Sequence, residues 1–257
     1  ARTTYGMPSG PVVQGTIAGR AVAFLARHGT PHRIAPHRVN YRANIVALKD
    51  AGVREIVAIN AVGGTADWAS AGAIAAPAQL IDYTHGRLSS FSDFEDLAVE
   101  HIDFTDPFSE PLRQRLLAAA RAAGVSVHDG GCVAVTEGPR LETRAEIARL
   151  RRDGCDLVGM TSMPEAVLAR EAGLDYASLA VVANPAAGCG TQEVIGMHEI
   201  EQVLAEAMQR VVQAMLAKLH AAGEFRVGTY EGWYSAKEET FLTDKDRLPD
   251  GTFPASY

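Results

Sequence analysis

The chain has 257 residues, of which 47% are hydrophobic and 21% charged, with a formal net charge of −7 and a pI near 5.6. A chain of this length can bury most of its unfolded surface and needs no disulfide staple, and its acidic balance argues against a nucleic-acid surface and for small-molecule chemistry. It carries no signal peptide and no unbroken apolar run of membrane length, and Cys132, Cys155 and Cys189 stand far apart without metal-ligand spacing, an odd set that fits a reducing cytoplasm and small buried apolar roles.

Val12 to Ile17 and Arg20 to Arg27 read as two strands joined by a tight Ala18-Gly19 turn. Residues 37–51 place Val39, Ala43, Val46 and Ala47 at helical spacing, and Gly52 closes that helix. Glu55 to Asn60 is a short apolar run of the kind buried in a parallel sheet, and it feeds Ala61-Val62-Gly63-Gly64. Gln79 to Asp82 reads as another strand, and residues 84–109 as a long loop, often functional in a compact domain. Pro111 to Ala123 is an alanine-rich helix, and Cys132 to Thr136 a strand running into Glu137-Gly138-Pro139-Arg140. Helix 141–152, strand 156–160, helix 163–172, strand 176–183 and a long helix from about 198 to 221 follow. The alternation predicts an α/β fold, a mixed central sheet flanked by helices. Residues 223–257 differ: they hold Phe225, Tyr230, Trp233, Tyr234, Phe241, Phe253 and Tyr257 with no helical period, and read as an aromatic extension that packs on the body or a neighbour.

Several polar candidates stand at the carboxyl ends of these strands, where open α/β sheets bind ligands: Arg27, Asn60, Thr161 and Asn184. Arg27 and His28 at a strand end can hold a phosphate dianion, the arginine bidentately, although by itself an Arg-His pair on a loop is more often solvated surface. His32 and His37 follow, but their spacing with His28 matches no structural zinc pattern and no cysteine is near, so no metal site is expected. In Asn60-Ala61-Val62-Gly63-Gly64 the paired glycines permit positive φ and close approach of backbone N–H groups to an anion or sugar; an ordinary strand-to-loop turn accounts for them equally well. Gly138-Pro139 forces a sharp turn, which places Glu142 in the first turn of a helix, either as a functional carboxylate or as a complement to the helix dipole. Thr161 can donate a hydroxyl to phosphate, and Met160 is either a soft wall against a sugar or core filler.

Arg27-His28-Gly29, Val39-Asn-Tyr-Arg-Ala-Asn44, Asn60-Ala-Val-Gly-Gly64, Glu137-Gly-Pro-Arg-Leu-Glu-Thr143, Gly159-Met-Thr-Ser-Met-Pro-Glu165 and the run from Ala180 to Gly188 around Asn184 occur in the order seen in trimeric purine nucleoside and 5′-methylthionucleoside phosphorylases. The chain resembles that family over about residues 3–221. The resemblance implies a single nucleoside-phosphorylase-like domain over residues 1–222, followed by the extension 223–257. It implies that Arg27, His28, Ala61 and Thr161 hold phosphate, that Asn184 and Glu142 hold the base, and that Asn60 joins the substrate site. Leu141 stands where the family often has a base-stacking phenylalanine, Met160 would lie against the ribose, and His32, Met197 and Ile200 would line the 5′ pocket. A carboxylate accepting from N1–H beside an amide serving O6 and N7–H suits a 6-oxopurine and not adenine. The apolar Met197 and Ile200 favour a 5′-methylthio group over a hydroxyl. The implied reaction is phosphorolysis of 5′-methylthioinosine, with inosine or guanosine phosphorolysis, methylthioadenosine phosphorolysis or a non-catalytic nucleoside-binding role as alternatives. Phosphate is the co-substrate, no cofactor or metal is implied, and the partners are nucleoside, phosphate and sister subunits of a homotrimer, with no nucleic acid or membrane. The family begins with a strand ending in Gly-Gly-Thr-Gly that wraps phosphate; this sequence starts with Ala1, after that point, which points to a trimmed chain or to a tail segment, Phe225 to Tyr230, filling the gap.

Overall fold

In the computed structural model, which describes residues 2–17, 20–92, 101–190, 233–235 and 240–242, two long strands carry the sheet. β3 (Glu55–Gly64) runs parallel to β9 (Asp175–Pro185) over its whole length, from Glu55↔Asp175 to Gly64↔Pro185. Beside β3 stand β8 (Leu157–Gly159), β7 (Cys132–Val135) and, at one edge, β5 (Gln79–Asp82); beside β9 stand β4 (Ile74–Ala76) and, at the other edge, β6 (His128–Asp129). β8 is antiparallel to β3 and β4 antiparallel to β9, whereas β5, β7 and β8 run parallel to one another, so the sheet is mixed as expected. The two- and three-residue strands β6 and β4 are too short for a periodicity signal in the sequence, and neither was anticipated there.

The helices are α1 (Tyr41–Asp50), α2 (Glu110–Ala122), α3 (Arg144–Arg152) and α4 (Ser162–Glu171). β9 is buried from Tyr176 through Ala183 because both its faces are covered. Leu179 and Val181 pack with Leu117 of α2, while Ala180 and Val182 pack with Val62, Val133 and Met163. Tyr176 joins a further cluster with Ile45 of α1 and Leu168 of α4. Each aliphatic side chain so buried is worth roughly 1.5–3 kcal/mol. The three cysteines, distant in sequence, meet in one cluster with Ala134, Ile147 and Val158.

Several boundaries differ from the sequence reading for local reasons. The helix expected over 37–51 begins at Tyr41, because Asn40 caps it by accepting from Ala43 N–H at 3.1 Å. Asn40 also donates to the Tyr5 carbonyl at 2.8 Å, and Asn44 brackets Ser9 with bonds of 2.8 and 3.0 Å, so the 39–44 motif latches the N-terminal segment. The helix expected from 141 begins at Arg144: Thr143 and Glu146 form a reciprocal capping box, which leaves Glu142 before the helix and not in its first turn.

β1 (Val13–Ile17) and β2 (Arg20–Phe24) form a separate antiparallel pair, and the turn at 18–19 lies outside the described residues. The expected helix 198–221 and the segment 225–230 lie outside them as well. Backbone contacts divide the chain into Ala1–Glu224 and Phe225–Tyr257. In the second unit β10 (Trp233–Ser235) and β11 (Thr240–Leu242) pair antiparallel. Among the described residues no helix is long and apolar enough to cross a membrane.

Candidate active site

Asn60 was expected at a strand end. It lies mid-strand, because β9 supports β3 through Ala61–Gly64. Its buried amide donates to Ser162 Oγ at 3.1 Å and Ser178 Oγ at 3.0 Å, and accepts from the Thr161 hydroxyl at 3.4 Å. With β8 antiparallel to β3, the candidates do not share one carboxyl edge of the sheet: Thr161, just after β8, reaches Asn60 within β3, whereas Asn184 stands opposite Gly63 near the end of β3.

Gly63 and Gly64 do not adopt positive φ. Their role is close approach: a β-carbon on Gly64 would stand 1.8 Å from the Ala69 carbonyl oxygen, and one on Gly63 3.0 Å from Val158 Cγ1. Between Val62 and Gly63 the register with β9 slips, so Ala183 is an extra residue and Gly63 faces Asn184. Such a bulge re-aims the side chain after it.

Next to Asn60 lies a buried ionic cluster. Arg27 donates from Nε and Nη2 to the two oxygens of Glu165 at 2.6 and 2.8 Å, and the Tyr176 hydroxyl donates to Glu165 at 2.8 Å. Burial works against the guanidinium charge, but the Glu165 carboxylate more than offsets it and raises the Arg27 pKa overall. Burial likewise pushes the Tyr176 phenol well up, so it stays a donor. With its Nε edge engaged, the Nη1 end of Arg27 has no hydrogen-bond partner among the described residues. His28 Nδ1–H donates to the Ile34 carbonyl at 2.7 Å, and its ring stacks on the exposed His32, centroids 4.3 Å apart. Burial, with smaller contributions from His32 and Arg27, holds the His28 pKa below its usual range against the Ile34 bond. The neutral ring therefore presents an unprotonated Nε2, which can accept from a phosphate P–OH.

Of the base candidates, Glu142 lines a cavity beside Thr136, and Asn184 is not among the residues that line it. The Thr136 hydroxyl donates to Glu142 Oε1 at 2.6 Å. Met160 packs its sulfur under Gly138, whose φ is +62° and where a β-carbon would meet that sulfur at 2.5 Å. Leu141 is 47% exposed. Thr136, Gly138 and Glu142 line an open cavity of about 450 Å³ with Tyr83, His85 and Arg149. Asn184, half-buried, donates from Nδ2 to the Pro185 carbonyl at 2.7 Å, which fixes its amide orientation because that carbonyl can only accept. Its loop meets the Glu142 segment: a β-carbon at Gly188 would lie 3.4 Å from Arg144 Cγ. Ala61 stays in the strand, paired with Val181. Met197 and Ile200 lie outside the described residues, and among the described residues no His, Cys, Asp and Glu group could hold a metal.

The sequence reading missed Arg87. Its side chain is 4% exposed; it donates from Nε to Glu137 at 3.0 Å, from Nη1 to the Met160 and Met163 carbonyls at 2.7 and 2.6 Å, and from Nη2 to the Glu137 carbonyl at 2.7 Å. It thereby ties the segment after β7 to the segment after β8, the two stretches that carry Glu142 and Thr161. Its position in the loop 84–109 was the available signal. For Tyr176 and Ser178 the signal was polarity inside an otherwise apolar strand.

A profile of the Phosphorylase superfamily matches residues 1–217. The probable S-methyl-5′-thioinosine phosphorylase of Pseudomonas syringae pv. tomato is 57% identical over 222 residues, 86% of this chain and 89% of that protein. The protein of the same description from Xanthomonas campestris pv. campestris is 56% identical over 198 residues, 77% of this chain and 79% of its own length. Among solved structures, the methylthioadenosine phosphorylase of Schistosoma mansoni in complex with adenine superposes with a TM-score of 0.81 at 33% identity, covering 88% of this chain and 85% of that chain.

Proposed function

The chain belongs to the Phosphorylase superfamily, and we propose that it catalyses phosphorolysis of 5′-methylthioinosine to hypoxanthine and 5-methylthioribose 1-phosphate. The observation that carries the base assignment is the Glu142 carboxylate: Thr136 engages one oxygen, and the other can accept from N1–H of a 6-oxopurine. Asn184 supplies the complement, with Nδ2 donating to O6 and Oδ1 accepting from N7–H. Adenine, which has no N1–H, would set its N1 lone pair against the carboxylate.

A phosphate oxygen forms a bond to C1′ as the C1′–N9 bond breaks, through a state with oxocarbenium character. The bonding pair departs with the purine, whose N7 takes up a proton from solvent, and the P–OH proton that phosphate gives up as it becomes an ester keeps the proton count even. Asn184 stabilises the charge that builds on the ring, a contribution of about 3–4 kcal/mol for a well-placed donor. Arg27, Thr161 and the Ala61 backbone hold phosphate, and His28 receives its P–OH proton in a hydrogen bond. Phosphate is nucleophile and counter-charge together, so the reading requires no cofactor. Met160 lies against the ribose, and the Thr161 hydroxyl exchanges its long 3.4 Å bond to Asn60 Oδ1 for one to the phosphate. The 5′-methylthio preference draws on the relatives' descriptions and on the apolar residues Met197 and Ile200. A homotrimer acting in the cytoplasm in purine salvage completes the proposal, on the strength of the family resemblance.

The test is hypoxanthine release from 5′-methylthioinosine with and without phosphate, beside inosine and 5′-methylthioadenosine. Phosphate-dependent release chiefly from 5′-methylthioinosine is expected. Faster release from methylthioadenosine would overturn the base assignment, faster release from inosine the 5′ assignment, and release without phosphate the reaction type.

A further inference from the structure

We propose that Thr136 is a positioning residue that sets the base preference of this site by holding Glu142 in one orientation; the inference rests on the base-site reading above. Thr136 directly follows β7, and its backbone N–H donates to the Gly159 carbonyl at 2.8 Å, which locks it to the end of β8. Its carbonyl also accepts from Arg87 Nη2 at 3.3 Å. The hydroxyl is therefore presented from a fixed backbone. It has one proton and two acceptors in reach, Glu142 Oε1 at 2.6 Å and the Gly159 carbonyl at 3.3 Å. The shorter, charge-assisted bond to the carboxylate takes that proton.

Glu142 needs such a partner. It lies outside α3, so no helical backbone fixes it, and among the described residues the Thr136 hydroxyl is the hydrogen-bond donor it meets. Both side chains line the same cavity. With Oε1 held, Oε2 faces a ligand as an acceptor alone. That demands a donor on the ligand edge, which hypoxanthine N1–H meets and adenine N1 does not. Without the hydroxyl the carboxylate can swing, and the preference for hypoxanthine over adenine falls chiefly through loss of the attraction for hypoxanthine.

The experiment compares the parent protein with Thr136→Val, Thr136→Ser, Glu142→Ala and the Thr136→Val/Glu142→Ala double variant. Two readouts are taken: kcat/KM for 5′-methylthioinosine and 5′-methylthioadenosine, and calorimetric Kd for free hypoxanthine and adenine. Thr136→Val should lower kcat/KM for 5′-methylthioinosine and weaken hypoxanthine about tenfold, a difference of about 1.4 kcal/mol, while adenine changes less than about twofold. Thr136→Ser should stay near the parent, and Thr136→Val should add nothing in the Glu142→Ala background, because groups acting through one contact are not additive. An unchanged hypoxanthine-to-adenine ratio in Thr136→Val, or a full additive loss in the double variant, overturns the inference. If the parent binds hypoxanthine but shows no phosphate-dependent turnover, the proposed reaction fails and the Kd series still decides the role of Thr136. If it binds neither base, the base-site reading and this inference fall together. Should Thr136→Val misfold, Thr136→Ala carries the same expectation.

Discussion

Replacing Glu165 by Gln removes the charge that balances Arg27 while keeping nearly the same shape. The carboxylate accepts three hydrogen bonds, two from Arg27 at 2.6 and 2.8 Å and one from the Tyr176 hydroxyl at 2.8 Å. A glutamine accepts through one oxygen only. If the amide nitrogen takes the Oε1 place it faces Arg27 Nε–H donor to donor; in the Oε2 place it faces both Arg27 Nη2 and Tyr176. Either way the guanidinium is left without its counter-charge, with side chains only 15% and 8% exposed. Breaking a buried pair from one side costs about 3–5 kcal/mol, and retention of part of the hydrogen bonding puts this case near the low end, about 3 kcal/mol. For a chain of this size that is a fall of roughly 6–12 °C in Tm. Phosphate should restore more stability in Glu165→Gln than in the parent, because an anion on Arg27 then supplies the missing charge. Scanning calorimetry at pH 7 with and without phosphate measures both effects. A Tm within about 2 °C of the parent would refute the reasoning, since it would mean that Arg27 does not depend on this carboxylate.

Gly64→Ala places a β-carbon 1.8 Å from the Ala69 carbonyl oxygen; unfolding in urea should show a loss of at least about 1–3 kcal/mol. Arg87→Lys cannot reproduce the planar fork that joins Glu137, Met160 and Met163; a loss of about 2–3 kcal/mol in urea unfolding, with a fall in kcat/KM, is expected. Thr143→Ala should cost about 1 kcal/mol by removing the capping box, read as a shift in urea midpoint. The hydrogen bonds from Arg140 and then Thr143 depress Glu146 to about 2 from 4.5. A depressed carboxylate stabilises the fold above its unfolded pKa and loses that contribution as pH falls through its folded one, so hydrogen-exchange protection factors in the first turn of α3, taken against the intrinsic rate at each pH, should fall between about pH 4.5 and 2.

The periodic elements were legible in the sequence because their cause is local. The apolar runs at 55–60 and 176–183, the alanine-rich stretch of α2, and the Gln79–Asp82 strand need only local composition and punctuation to be seen. Ordered motifs named the candidates Arg27, His28, Glu142, Met160, Thr161 and Asn184. What depends on distant partners was not visible. Asn60 looks terminal in the sequence because Gly63 and Gly64 resemble a turn, yet β9 keeps β3 extended through them. Glu142 looks helical until Thr143 and Glu146 take the cap.

Hydrophobic pattern and turn chemistry thus determined by themselves that strands and helices alternate and which segments are buried, since each residue's preference acts over a few neighbours. Tertiary structure alone decided that β8 runs against β3, that Ala183 bulges to face Asn184 toward Gly63, that Glu165 neutralises Arg27 across 138 positions, and that Arg87 ties the two loops of the site. Charge pairing and close approach act through space, and a linear pattern does not encode which distant residue will complete a buried ion or fill a missing β-carbon.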